Sequence, residues 1–220
     1  MTAGDPKFSA LTVVALGAFS PRVFHPSWFA IQGLITHGEA DSAQLQITHP
    51  DISIFSTDYW DFECIPERIS FSSARLPNPE ILRDLVVGTL GALGEIPLSA
   101  LGLNRATHWD MAPMAKWHAF GHRLVPPNNW SDLDSPGMKS VTVQGTRPDG
   151  HDGHVLVKVE PSTTMKYGVF VEVNDHFQLT KSSEDLGGIE KAIQILTESW
   201  EDSLDRSMRI TRSVISGEQG

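Results

Sequence analysis

Two histidines four residues apart are the first candidates for chemistry: His118 and His122, in the run Trp117-His118-Ala119-Phe120-Gly121-His122-Arg123-Leu124. On a helix this spacing puts both rings on one face, a geometry that suits metal ligation. A metal hydrolase of the His-Glu-x-x-His kind carries its base between the ligands, whereas here Ala, Phe and Gly intervene. The pair is a candidate metal site without a candidate base. The competing reading is two histidines that cap or hydrogen-bond neighbouring backbone. A second group, Asn174-Asp175-His176, is expected at the end of a valine-rich strand, where rigid scaffolds often hold function. Asp175 and His176 are therefore ligand-binding candidates, and an acid/base pair if a third group joins them. Arg105 is the third candidate, followed by Thr107, His108, Trp109 and Asp110. Its guanidinium could hold a carboxylate or phosphate, or pair with a structural carboxylate.

Other residues point away from catalysis. His151-Asp152-Gly153-His154 reads as hairpin-turn chemistry with solvated histidines. Cys64 is the sole cysteine, so no intramolecular disulfide can form, and a reducing, cytoplasmic setting is the expectation. Glu63 beside it disfavours the thiolate, which makes a Cys-His nucleophile a poor candidate. Phosphate-binding loops, Gly-x-Gly-x-x-Gly, Gly-x-Ser-x-Gly and Cys-x-x-Cys do not occur. No cofactor is implied, apart from the metal that His118 and His122 could take.

The elements that must position these groups are legible from patterning. The 220 residues carry a net charge of −10 and are 40% hydrophobic, which fits a folded chain rather than a disordered one. Residues 1–97 carry net −6 and residues 98–220 net −4, so neither half is a basic module and the charge disfavours nucleic acid. The N-terminus lacks the pattern of a signal peptide, and the apolar run 11–19 is too short to span a bilayer. Residues 1–8 are expected to be loose and 216–220 frayed.

A buried strand over 11–19 is followed by a short helix from His25 to about Ile35, with Pro26 in its first turn. Strands are expected over 43–48, 52–57 and 68–73, the last with Ile69 and Phe71 alternating against serines. The stretch Asp58-Tyr59-Trp60-Asp61-Phe62-Glu63 between them reads as a loop packing Trp60 and Phe62 inward, or as an exposed aromatic patch. Asn78 and Pro79 open a helix that ends near Gly94. The second half repeats the order: a strand over 98–107, a short helix over 113–121, and strands over 138–146, 154–160 and 167–174. A final helix over 188–215 carries one stripe through Ile189, Ile193, Leu196, Trp200, Leu204 and Met208.

The expected architecture is α+β. Two β-α-β-β-β-α halves, 1–97 and 98–220, join into one curved antiparallel sheet of about eight strands, covered on one face by helices. This element order resembles the TATA-binding-protein-like fold, with one strand per half fewer than that unit and without its basic balance. The runs Trp117 to Leu124, Gly137-Met138-Lys139-Ser140-Val141-Thr142-Val143 and Val173-Asn174-Asp175-His176-Phe177 also resemble an uncharacterised family of bacterial proteins, which implies a bacterial origin and no mechanism. The function expected is a non-enzymatic binding or assembly subunit. It would act through a protein partner or self-association by the final helix or a sheet edge, with no membrane role. The alternative is a small-ligand binder or metal-dependent enzyme with a pocket between sheet and helix. Nucleic-acid binding through the sheet is the reading the charge favours least.

Overall fold

A computed structural model describes residues 4–180 and 188–217. The chain begins its regular structure with β1 (Phe8–Gly17), then α1 (Pro26–Ile31), α2 (His37–Ser42), β2 (Gln44–His49), β3 (Ile52–Ser56), β4 (Asp61–Ile65), β5 (Arg68–Ser73) and α3 (Glu80–Ala92). The second half follows as β6 (Leu98–Asp110), α4 (Met114–Leu124), β7 (Val141–Thr146), β8 (Gly153–Pro161), β9 (Gly168–Gln178), α5 (Ile189–Glu198) and α6 (Trp200–Ser216). All nine strands form one sheet in the order β2-β3-β4-β5-β1-β6-β9-β8-β7, and every neighbouring pair is antiparallel. The halves meet at the centre, where β1 and β6 pair from Phe8 opposite His108 to Gly17 opposite Leu98.

Four sequence expectations are corrected. The sheet has nine strands rather than eight, because the acidic-aromatic stretch contains β4. Phe62 and Cys64 point into the core there, while Asp61 and Glu63 alternate outward and pair with Arg75 at 3.0 Å and with Arg68. The first short helix stops at Ile31, and a second one, α2, opens on a capping box between Thr36 and Glu39. The final helix is two helices broken at Ser199, which leaves helical geometry (φ −111°, ψ 5°). The apolar stripe continues through the break, so periodicity alone conceals it. Finally β9 runs to Gln178, which places Asn174, Asp175 and His176 inside a strand rather than at its end. A smaller shift occurs at α3: Pro79 takes the N-cap position, and Asn78 Oδ1 accepts the Glu80 N–H at 3.0 Å. Of the loose and frayed ends, residues 1–3 and 218–220 lie outside the described residues. Within them, Lys7 N–H donates to His108 O at 2.8 Å, and Gly217 caps α6 at φ 72°, a conformation glycine adopts without cost.

One face of the sheet carries the helices. Under the first half lies an aromatic core, in which Phe29 from α1 meets Phe55, Trp60, Phe62 and Phe71 at ring-centroid distances of 5.3–6.2 Å. Leu82, Val86 and Leu90 of α3 complete it, together with Ile195 and Leu196 of α5 and Trp200 of α6. Under the second half, Val155, Val159, Val169, Val171 and Val173 pack with Trp109, Phe120 and, from α6, Met208 and Val214. Thus α6 belongs to both cores. The opposite face carries no covering element among the described residues.

Candidate functional site

Strand alternation assigns each candidate to a face. Asp175 shares the helix-covered face with Val171, Val173 and Phe177, and is 2% exposed. A carboxylate in that position must be paired to remain charged. Its partners are two arginines from distant parts of the chain: Arg147 Nη1, and Arg206 Nη1 of α6 at 2.8 Å. Both arginines also hold Asp149 in the turn after β7, with Arg206 Nη2 at 2.7 Å from its Oδ2. The Arg147 guanidinium lies over the Phe177 ring, 3.5 Å from its centroid, a favourable cation–π placement. Partial burial works to raise the Asp149 carboxyl, but hydrogen bonds and charge from Arg147 and Arg206 overcome it and hold the group well below the usual carboxylate range. Two cations and two anions close a neutral cluster that ties the β7–β8 hairpin and β9 to α6. Asp175 is therefore engaged in a structural ion cluster.

His176 points the other way. It stacks on His154 of β8 on the uncovered face, with ring centroids 4.6 Å apart. Burial, then the neighbouring His154 and Arg147, push its pKa down, against a smaller opposing effect of Gln178. Adjacent residues on one strand cannot form an acid/base pair across the sheet, so the proposed Asp175–His176 couple does not assemble. Arg105 sits on the covered face of β6 beneath α6, where Nη1 donates to Leu204 O at 3.4 Å and Nε is buried without a partner. Burial, reinforced by Arg212 and opposed by Asp205, lowers its pKa. His118 and His122 do share a face of α4, with ring centroids 6.0 Å apart, and both are exposed. Among the described residues no three His, Cys, Asp or Glu side chains converge in a metal-holding group. Cys64 is buried; that burial, aided by Glu63, pushes its thiol up to about 12, so the nucleophilic thiolate is scarce at neutral pH. His108 Nδ1 meets the Ser162 and Thr164 hydroxyls at 2.8 and 3.2 Å. Ser162 Oγ also accepts the Thr164 N–H at 3.2 Å, which is turn bonding before it is nucleophile activation.

What the fold does assemble is the uncovered face. At its centre, Asn104 of β6 lies opposite Asn174 of β9, and the Oδ1 atom of each is buried without a hydrogen-bond partner. Gly102 lies beside them. A Cβ there would sit 3.6 Å from Asn104 Nδ2 and from Asn174 Oδ1, and 3.9 Å from Val14 Cβ. These are ordinary contacts, so packing does not require a glycine. A glycine inside a strand weakens it, and often marks close approach by another molecule. Around this notch run Thr12 and Val14, the His154–His176 stack, and a row of rings in which Phe8, His108 and Phe170 are spaced 6.3 and 5.1 Å. Sequence reasoning missed Gly102, Asn104, Arg147, Asp149 and Arg206. The available signals were a glycine within the apolar run Ala100–Leu103, and an aspartate in the inward register of a valine strand. No family model matches the chain, and no curated protein matches it.

Proposed function

We propose that the protein is a non-enzymatic binding and assembly subunit of a bacterial cytoplasmic system, acting through protein–protein contacts made by the uncovered face of its sheet. The observation that carries this reading is the contrast between that face and the scattered site candidates. Asp175 lies inside an ion cluster, Arg105 beneath a helix, His118 and His122 exposed on α4, and His176 in a histidine stack on the uncovered face itself. The uncovered face instead gathers apolar, aromatic and amide side chains around a notch, a mixture typical of protein interfaces. It bears Asp61, Glu63 and Glu172 as well as Arg68 and Lys158, and this mixed charge does not form a phosphate-binding saddle. A pocket beneath the middle of α6 finds little support; larger hollows lie elsewhere, about 560 Å³ beside α3 at Tyr59 and Leu85 and about 550 Å³ by the end of α6 at Trp109 and Ile215. The space beneath α6, lined by Leu11, Val13, Leu103, Arg105, Trp200 and Leu204, measures about 10 Å³, room for a single water at most.

The test is affinity purification from the native host with wild-type protein and with Val14→Glu and Asn174→Arg, which disrupt the face without touching either core. The expected result is a partner retained by wild type and lost from both variants, at unchanged melting temperature. The same retained proteins in all three samples would sink the assignment of this face.

A further inference from the structure

The two edges of the sheet are not equivalent. On the first half's side, four strands lie outboard of β1; on the second half's side, three lie outboard of β6. Matching β5 to β9, β4 to β8 and β3 to β7 leaves β2 without a counterpart. In its place residues 125–140 run as loop with a single turn of 3₁₀ helix, Pro127–Trp130. The β2 edge is guarded by a bulge, where the pairing with β3 shifts register between Leu45 and Ile47. The β7 edge has no such guard. It pairs with β8 in unbroken register from Val141 to Thr146, its sequence Val-Thr-Val-Gln-Gly-Thr carries neither charge nor proline, and Val143 is 58% exposed. Natural edges are normally blunted by one of these devices.

We propose that β7 is a strand-addition site whose occupant is β7 of a second copy, paired antiparallel about a two-fold axis and joining two nine-stranded sheets into one. This inference specifies the self-association within the assembly role proposed above and rests on that reading. Three features favour a second copy. Each chain carries −10, so copies repel except where a contact is uncharged, and β7 is such a contact. Antiparallel self-pairing also brings Lys139, just before the strand, to the end where the other copy's strand leaves for the turn that bears exposed Asp152, Asp149 there being already held by its own chain's arginines. In addition, the pairing is isologous and closes at two subunits instead of growing into a filament. Six paired residues bury little area alone. Exposed Trp130 and Leu133 line an apolar hollow of about 260 Å³ with Met138, Lys139 and Ser140, adjoining the strand's start, and add the apolar surface a stable interface needs.

Sedimentation velocity from about 1 to about 100 μM tests the pairing on wild type, Val143→Lys, Val143→Asp and an equimolar mixture of the two variants. Wild type is expected to sediment as a dimer. Each variant alone places like charges near the two-fold axis and weakens association by roughly tenfold or more, whereas the mixture pairs opposite charges and recovers the dimer. A wild-type monomer throughout, variants that dimerise as well as wild type, or a mixture that remains monomeric would each overturn the proposal. A monomer that still retains a host protein through Val14 and Asn174 would overturn the self-pairing alone and leave the binding reading standing.

Discussion

The two halves use one order of elements and two chemistries to hold it. The first half is stitched by rings: Phe29 reaches down from α1 into a nest of Phe55, Trp60, Phe62 and Phe71, all at most 3% exposed. The second half has valines on its inward strand positions and an ion cluster at its margin, where Arg147, Asp149, Asp175 and Arg206 meet. Aromatic side chains bury large areas and interlock by edge-to-face contact, so a few rings supply much of the first core's apolar area. Valines bury less each, and the second half gains its geometric definition from a neutral salt-bridge network whose members have fixed partners. A strand order can thus be preserved while the forces that fix it are exchanged.

Substitutions should separate these forces. The largest effect is expected from Phe29→Ala, which leaves a cavity among four rings and costs about 4 kcal/mol in denaturant unfolding. Val171→Ala in the other core should cost about 2 kcal/mol; equal costs would erase the distinction between the cores. Asp175→Ala should cost about 3 kcal/mol, because it leaves two buried arginines to share Asp149 alone. Replacing Arg147, Asp149, Asp175 and Arg206 together by apolar residues should cost much less than that single change, and a loss as large as from Asp175→Ala would show that the network itself supplies the stability.

Acidification distinguishes the halves without mutation. His176 and Asp149 both have folded-state pKa values below their ordinary ones, so the stability each contributes is present above its unfolded value and lost as pH falls through the folded one. Stability should begin to decline below about pH 6.5 as His176 resists protonation, and fall more steeply below about pH 4 as Asp149 is forced to bind a proton. His176→Asn should flatten part of the first limb, the rest belonging to His108, whose pKa burial also lowers, and Asp149→Asn the second, read from melting temperature against pH. Both limbs belong to the second half. The smallest effect is expected at Gly102. Gly102→Ala should raise stability by about 0.5 kcal/mol, since the added methyl meets only ordinary contacts. A loss of more than about 1 kcal/mol would mean that the glycine serves the fold rather than a partner.

Much of this architecture was legible in the sequence, for identifiable reasons. Ile69 and Phe71 alternate with serines, and Val157 and Val159 with Lys158 and Glu160, so period two announced those strands. The stripe through Leu82, Val86 and Leu90 announced α3. Strand β4 was hidden because its outward positions, Asp61 and Glu63, are acids in an aromatic stretch; only the partners Arg75 and Arg68, supplied by folding, make those acids strand residues. The break at Ser199 was hidden because helix periodicity survives a single non-helical residue. The site was less legible than the fold. His118 and His122 were placed on one helix face from spacing alone. The ion cluster instead joins residues up to 59 positions apart, from Arg147 to Arg206, and no local pattern encodes such a meeting. Asp175 among inward valines was the one local clue, since a buried acid demands a cation.

The packing of α6 against both cores has a consequence for the order of events at the ribosome. Trp200, fully buried in the first half's core, is separated from that half by most of the second. At typical translation speeds roughly 5–20 s elapse between synthesis of residue 97 and residue 204. During that interval the aromatic nest exists without the side chains that seal it, so the first part of the chain to be made is among the last to be finished.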